Sequence, residues 1–175
     1  QSCLPRQLSR CAVQLYHGAA YALPAASRLP AVVTIHDLSF FRMPETLPRT
    51  HAFYLRAATR IAARRAAALI AVSRFTADEV KSVLGVPEDR VHVVHNGCDE
   101  RMRPPPEPAV ESYRRAAGLP DTFVLAVGTL QPRKNLTVLL QAYSRLRQRG
   151  LEPPPLVVAG APGWLDTDIA AAAGR

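Results

Sequence analysis

Aromatic residues make up only 6% of this 175-residue chain, and it has just three cysteines. Cys3, Cys11 and Cys98 are too few and too widely spaced for a disulfide framework or a zinc site. A reducing, cytoplasmic setting is the simplest expectation. No uninterrupted apolar run reaches the about 18 residues that a membrane-crossing helix needs. The opening residues QSCLPRQLSR lack the cationic start and apolar stretch of a secretory leader, and they read as a sequence already in progress. Neither a Walker A pattern nor GxGxxG occurs, which argues against an NTPase or an ordinary NAD enzyme. Repeats with a solenoid period are absent too.

What remains is apolar and basic. A hydrophobic content of 48% is enough to bury a core, and the length points to one domain or slightly more. Twenty-two basic residues against 14 acidic ones give a formal charge of +8. That balance favours anionic partners without choosing among phosphates, lipids and nucleic acid.

Short β-branched runs alternate with helical stretches. AVVTIH (31–36), LIAVS (69–73) and VHVVH (91–95) read as strands, the last ended by the turn pair Asn96–Gly97. A long helix is expected from about Arg49 to Ala68. Ser73 and Thr76 open another, with Thr76 and Glu79 at capping-box spacing, and Gly85 ends it. RMRPPPEPAV (101–110), with four prolines, reads as an extended connector. The pattern then restarts with a helix (110–117), strand FVLAVG (123–128), helix 135–149, strand LVVAG (156–160) and an apolar helix running to Arg175. In helix 135–149, Leu136, Leu139, Leu140, Tyr143 and Leu146 form a stripe for packing on a sheet, and Gly150 ends it. Alternation on both sides of the connector implies two α/β units with parallel sheets, the second too small to close a core.

Ligands of open parallel sheets bind beyond the carboxyl ends of the strands. Gly128 to Lys134 occupies such a position, directly before a helix whose first N–H groups and dipole favour an anion. Arg133 can fork onto two phosphate oxygens, and Lys134 adds a compact point charge. Gly128 allows close backbone approach and Pro132 stiffens the turn. The same residues also fit a solvated basic turn in which Asn135 caps the helix.

The ordered set LYHG (15–18), VVTIHDLSFFRMPE (32–45), IAVSRFTADEV (70–80), VHVVHNGCD (91–99) and VLAVGTLQPRKNL (124–136) resembles glycosyltransferase family 4. The resemblance covers nearly all of the chain from about Leu15 onward. It implies a retaining transferase of the GT-B architecture, with two facing Rossmann-like domains. Residues 1–100 would then be the C-terminal part of the acceptor-side domain, 101–110 a Pro-rich linker, and 111–175 the start of the donor-binding domain, both units incomplete. By the resemblance Arg133 and Lys134 grip the donor diphosphate and stabilise the leaving nucleotide, which dispenses with a metal or other cofactor. His36 would sit near the donor sugar or reacting oxygen; its other reading is a loop histidine paired with Asp37. Ser73 either bonds a phosphate or caps its helix. Gly128, Thr129 and Asn96 join the donor-binding set. Gly97 and Asp99 complete the family's Asn-Gly-x-Asp turn, and His17 and Gly18 echo a cleft-lining pair.

There are departures from the family pattern. Thr129 stands where many members carry arginine directly after the glycine. The family's glycine-rich loop is expected before Gln1 and its paired glutamates after Arg175, so the isolated chain is expected to be a poor catalyst.

Arg56, Arg60 and Arg64 recur every four residues, with Arg49 and Arg65 nearby and Phe53 and Ile61 expected on the opposing apolar face. This is either the wet face of a packed helix or a patch that leans on anionic lipid. No aromatic stands between Arg56, Arg60 and Arg64 as a base-stacking platform, so nucleic acid is not an expected partner. The reading that follows is a fragment of a cytoplasmic, metal-independent glycosyltransferase, peripheral on the inner face of the membrane. Its donor would be a nucleotide sugar and its acceptor a glycan or lipid-linked glycan. The rival reading is a non-catalytic α/β module that binds a phosphate or nucleotide.

Overall fold

The computed structural model describes residues 7–8, 11, 13–24, 27 and 29–163. The chain divides into two compact units, Gln1–Gly97 and Cys98–Arg175. The helix expected between the last strand and Arg175 lies outside the described residues.

In the first unit, strands β1 (Tyr16–Gly18), β2 (Ala31–Ile35), β3 (Ala68–Ala71) and β4 (Val91–Val93) form a parallel sheet in sequence order. Val33 stands beside Leu69, and Leu69 beside Val91. Helices α1 (Ser39–Arg42), α2 (Arg49–Arg65) and α3 (Arg74–Leu84) lie between the strands in sequence. The core joins Val33, Ile35 and Leu69 to Leu38, Phe40, Ala62, Ala63, Val80 and Val86. Full burial of a side chain such as Ile35, Leu38 or Leu69 contributes about 1.5–3 kcal/mol each.

Helix α2 differs from expectation at its end and on its face. It stops at Arg65, where Ala66 turns extended (φ −64°, ψ 139°), because Ala68 pairs with Val32 in the parallel ladder. The alanine run carries no local stop signal, so tertiary pairing decides. Its buried residues are Ala52, Thr59, Ala62 and Ala63, while Phe53 and Ile61, expected inward, are exposed. Small side chains line the face that meets the core.

At the start of α3, Ser73, extended at φ −154° and ψ 161°, accepts the Thr76 backbone N–H at 3.1 Å. The expected Thr76–Glu79 box is therefore not the cap. Glu79 instead accepts from Arg42 Nε at 2.9 Å. Gly85 ends α3 in the left-handed region at φ 66°.

In the second unit, α4 (Glu107–Ala116) precedes β5 (Val124–Val127), α5 (Leu136–Gln148) and β6 (Leu156–Ala159). Helix α4 begins inside the stretch read as connector. Pro106 flanks its start and Pro108 occupies its first turn, where a missing N–H costs nothing. Strands β5 and β6 pair in parallel, Val124 beside Leu156 through Val127 beside Ala159. Val124, Leu125, Val127 and Val158 remain exposed, as expected for a sheet of two strands. Leu136 is buried and the rest of its stripe, Leu139, Leu140, Tyr143 and Leu146, is half-buried.

Candidate functional site

The carboxyl ends of the first unit's strands are tied to one another through histidines and hydroxyls. After β1, the Ala19 carbonyl oxygen accepts from His36 Nε2 at 2.8 Å. A carbonyl can only accept, so Nε2 carries the hydrogen, and in the neutral ring Nδ1 is left as the acceptor. The Tyr21 ring meets His36 edge-on at 5.9 Å and Phe40 edge-on at 5.3 Å. Asp37 is not the partner of His36. It accepts from Ser39 N at 2.9 Å, from Ser39 Oγ at 2.6 Å and from the Tyr21 hydroxyl at 3.4 Å, holding the start of α1.

The end of β3 joins this group through Thr76. Its Oγ1 lies 2.9 Å from Ser73 Oγ and donates to the His36 carbonyl oxygen at 3.4 Å. Ser73 thus acts as a helix cap, the second of its two readings. From β4, His95 Nδ1 donates to the Val72 carbonyl oxygen at 3.2 Å, and Asn96 follows it, exposed. His17 Nε2 lies 2.8 Å from Thr34 Oγ1, linking β1 to β2. Gly18 has no room for a side chain, since a Cβ there would come 2.6 Å from the Ala22 carbonyl oxygen.

The second unit places Gly128, Thr129, Arg133 and Lys134 in one turn after β5. Gly128 has φ 148°, a conformation L side chains rarely adopt. A short 3-10 turn, Pro132–Lys134, presents the two cations, both exposed. The Lys134 side chain folds back over Gly128: a Cβ built on that glycine would sit 3.5 Å from Lys134 Cε and 4.0 Å from Nζ. Among the described residues no acidic side chain forms an ion pair with Arg133 or Lys134. Asn135 precedes α5 in the left-handed conformation at φ 52° and its side chain makes no capping hydrogen bond. The alternative of Asn135 as side-chain cap is not what the turn adopts. Two cations and an uncapped helix start therefore share one strand end, an arrangement suited to a phosphate group.

Asp99 is held by Arg101. Its Oδ1 accepts the Arg101 N–H at 2.9 Å and Nε at 3.0 Å, and its Oδ2 accepts from the guanidinium at 2.6 Å. Those bonds, the guanidinium's first, hold the carboxyl below the ordinary aspartate range.

The basic stripe of α2 separates by role. Arg56 donates to the carbonyl oxygens of Phe40 and Phe41 at 2.9 and 3.1 Å, and Arg65 donates to those of Pro24 and Ser27. Arg60 stacks over the Phe41 ring at 4.7 Å. Arg49, Arg60 and Arg64 are exposed, as are Phe53, Tyr54 and Ile61.

Sequence reading missed Tyr21, Thr76 as the link from Ser73 to His36, and the glycines after β6. Tyr21 carries no signal, being a non-glycine residue at φ 55°. The spacing of Gly160 and Gly163 just beyond a strand was the signal available for the glycines.

The chain matches known proteins. The family model for Glycosyltransferase Family 4 matches residues 2–101. The chain is 34% identical over 157 residues to an O-antigen chain mannosyltransferase B from Escherichia coli, covering 87% of this chain and 40% of that protein. It is 29% identical over 151 residues to a serotype-specific mannosyltransferase WbdA of the same species, covering 82% of this chain and 18% of that protein. The chain thus spans two fifths or less of these curated relatives. A glycosyltransferase structure from Rickettsia africae ESF-5 superposes with a TM-score of 0.56 at 15% identity, over 91% of this chain and 42% of that one; it shares the fold. Taken with the ordered strand-end motifs, the family match establishes that this chain belongs to glycosyltransferase family 4.

Proposed function

We propose that the chain is part of a glycosyltransferase that moves a sugar, with retention, from a nucleotide-sugar donor to a glycan or lipid-linked glycan acceptor. The relatives are named as mannosyltransferases, which makes mannose the first sugar to test. The observation that carries the reading is the turn after β5, where Lys134 covers Gly128 and no acid among the described residues neutralises Arg133 or Lys134.

In this reading the bond between the sugar's anomeric carbon and the diphosphate breaks as an acceptor hydroxyl oxygen bonds to that carbon and gives up its proton to the departing diphosphate, on whose oxygens negative charge builds. Arg133, Lys134 and the N–H groups at the start of α5 stabilise that charge as it forms. Gly128 and Thr129 let the phosphates approach the backbone. Fixed cations supply the charge that a divalent metal supplies in other transferases, so no metal is required. His36 lies near the reacting sugar, its ring orientation set by Ala19. In the first unit, Asn96 is a further donor contact of this reading, and Ser73 acts through its helix cap, which Thr76 links to the His36 carbonyl.

The setting is cytoplasmic, with the outer face of α2 resting on anionic lipid. Exposed Phe53, Tyr54 and Ile61 beside Arg49, Arg60 and Arg64 support that contact. Among the described residues no helix is long and apolar enough to cross a membrane.

Calorimetric titration of the protein with a panel of sugar nucleotides tests the reading. One member should bind, and its nucleoside diphosphate should compete. Absence of binding across the panel contradicts it.

A further inference from the structure

We infer that Gly160 and Gly163 are positioning residues for the diphosphate turn, acting through the segment 159–163 as a brace that sets where Gly128 and Lys134 lie. The inference rests on the diphosphate reading of that turn.

The β5–β6 pairing does not end with the strands. Beyond them the Gly128 N–H donates to the Ala159 carbonyl oxygen at 2.9 Å and the Leu130 N–H to that of Ala161 at 3.0 Å, and Leu130 bridges to Pro162. The ladder thus runs on into the loop that carries the cations. The approach is close enough to exclude side chains. A Cβ on Gly160 would overlap the Gly128 carbonyl oxygen and lie 2.7 Å from its carbon. One on Gly163 would overlap the Leu130 carbonyl oxygen and lie 3.0 Å from Thr129 Cγ2.

Backbone freedom is not the reason for these glycines. Among the described residues, the glycines with positive φ are Gly85, Gly118, Gly128 and Gly150. A side chain at Gly85, Gly118 or Gly150 would meet nothing within 4 Å. Gly160 and Gly163 show the reverse pattern, and both press on the stretch 128–130. That stretch is also where Lys134 lays its methylenes, and the adjoining residue Gln131 is only 6% exposed. A cation displaced by about 1 Å from a developing charge costs on the order of 10²-fold in rate, so a brace at this spot bears on function as well as folding.

Calorimetry with nucleoside diphosphates and the matching monophosphates tests the brace, because the difference between them reports the terminal phosphate. Gly160→Ala should lower diphosphate affinity about tenfold, with monophosphate affinity changed less than about twofold. Lys134→Ala should give the same split, and the double variant should lose little more than either alone. Pro162→Gly introduces no clash and should give the same split at about threefold. If Gly160→Ala does not fold, Pro162→Gly decides alone. A split for Lys134→Ala but none for Gly160→Ala or Pro162→Gly overturns the brace and leaves the diphosphate reading standing. Unchanged diphosphate affinity in Lys134→Ala overturns the reading and the brace with it.

Discussion

His36 Nε2 donates to the Ala19 carbonyl oxygen across 2.8 Å, so one strand end fixes the ring orientation of a residue on the next. The neutral ring then offers Nδ1 as its acceptor. His36→Ala should lower turnover by about 10- to 100-fold, with at most a mild loss of nucleoside diphosphate affinity. Steady-state kinetics beside calorimetry checks this; equal loss in both assigns His36 a structural role.

Ser73 supplies the cap of α3, bonding Thr76 N at 3.1 Å. Ser73→Ala should cost about 1 kcal/mol in urea unfolding, while Ser73→Asp should retain most of that stability. A large fall in turnover without loss of stability would mark Ser73 as a phosphate ligand instead.

Arg56 and Arg64 sit on one sequence stripe but do different things. Arg56→Ala removes donors to two carbonyl oxygens and should destabilise by about 1–3 kcal/mol. Arg64→Ala should stay within about 0.5 kcal/mol of the parent in stability. Combined with Phe53→Ser, it should weaken flotation with anionic vesicles and leave neutral vesicles unaffected. Unchanged flotation removes the lipid contact.

Arg101 depresses the Asp99 carboxyl, so the folded-state value lies below the unfolded one. The pair therefore contributes stability above the unfolded value, and that contribution is lost as pH falls through the folded value. Both side chains are solvent-exposed, so the effect on unfolding should be small. An NMR titration should show Asp99 moving up toward ordinary aspartate behaviour in Arg101→Ala; no movement contradicts the assignment.

Much of the fold is legible because its signals are local. The β-branched runs VVTI, VHV and VLAV become strands, and Gly85 and Gly150 end their helices at φ 66° and 73°. What was not legible depends on distant partners. Nothing near Arg65 says the helix must stop; the pairing of Ala68 with Val32 does. Phe53 and Ile61 look like core residues by type, but the sheet takes the alanine face of α2. His36 stands next to Asp37 in sequence, yet its partner is Ala19, 17 residues away. The cationic turn was readable because Gly128, Arg133 and Lys134 are near neighbours. Its dependence on Gly160 and Gly163 was not, since that contact joins two strand ends across a helix.

Kinetics of Lys134→Ala in the protein, with melting followed in parallel, tests the central claim most directly. The account predicts that kcat/KM for the sugar nucleotide falls by about 10²–10³-fold while the melting curve stays in place. Unchanged turnover would contradict the assignment of the β5 turn as the site where the departing diphosphate is stabilised.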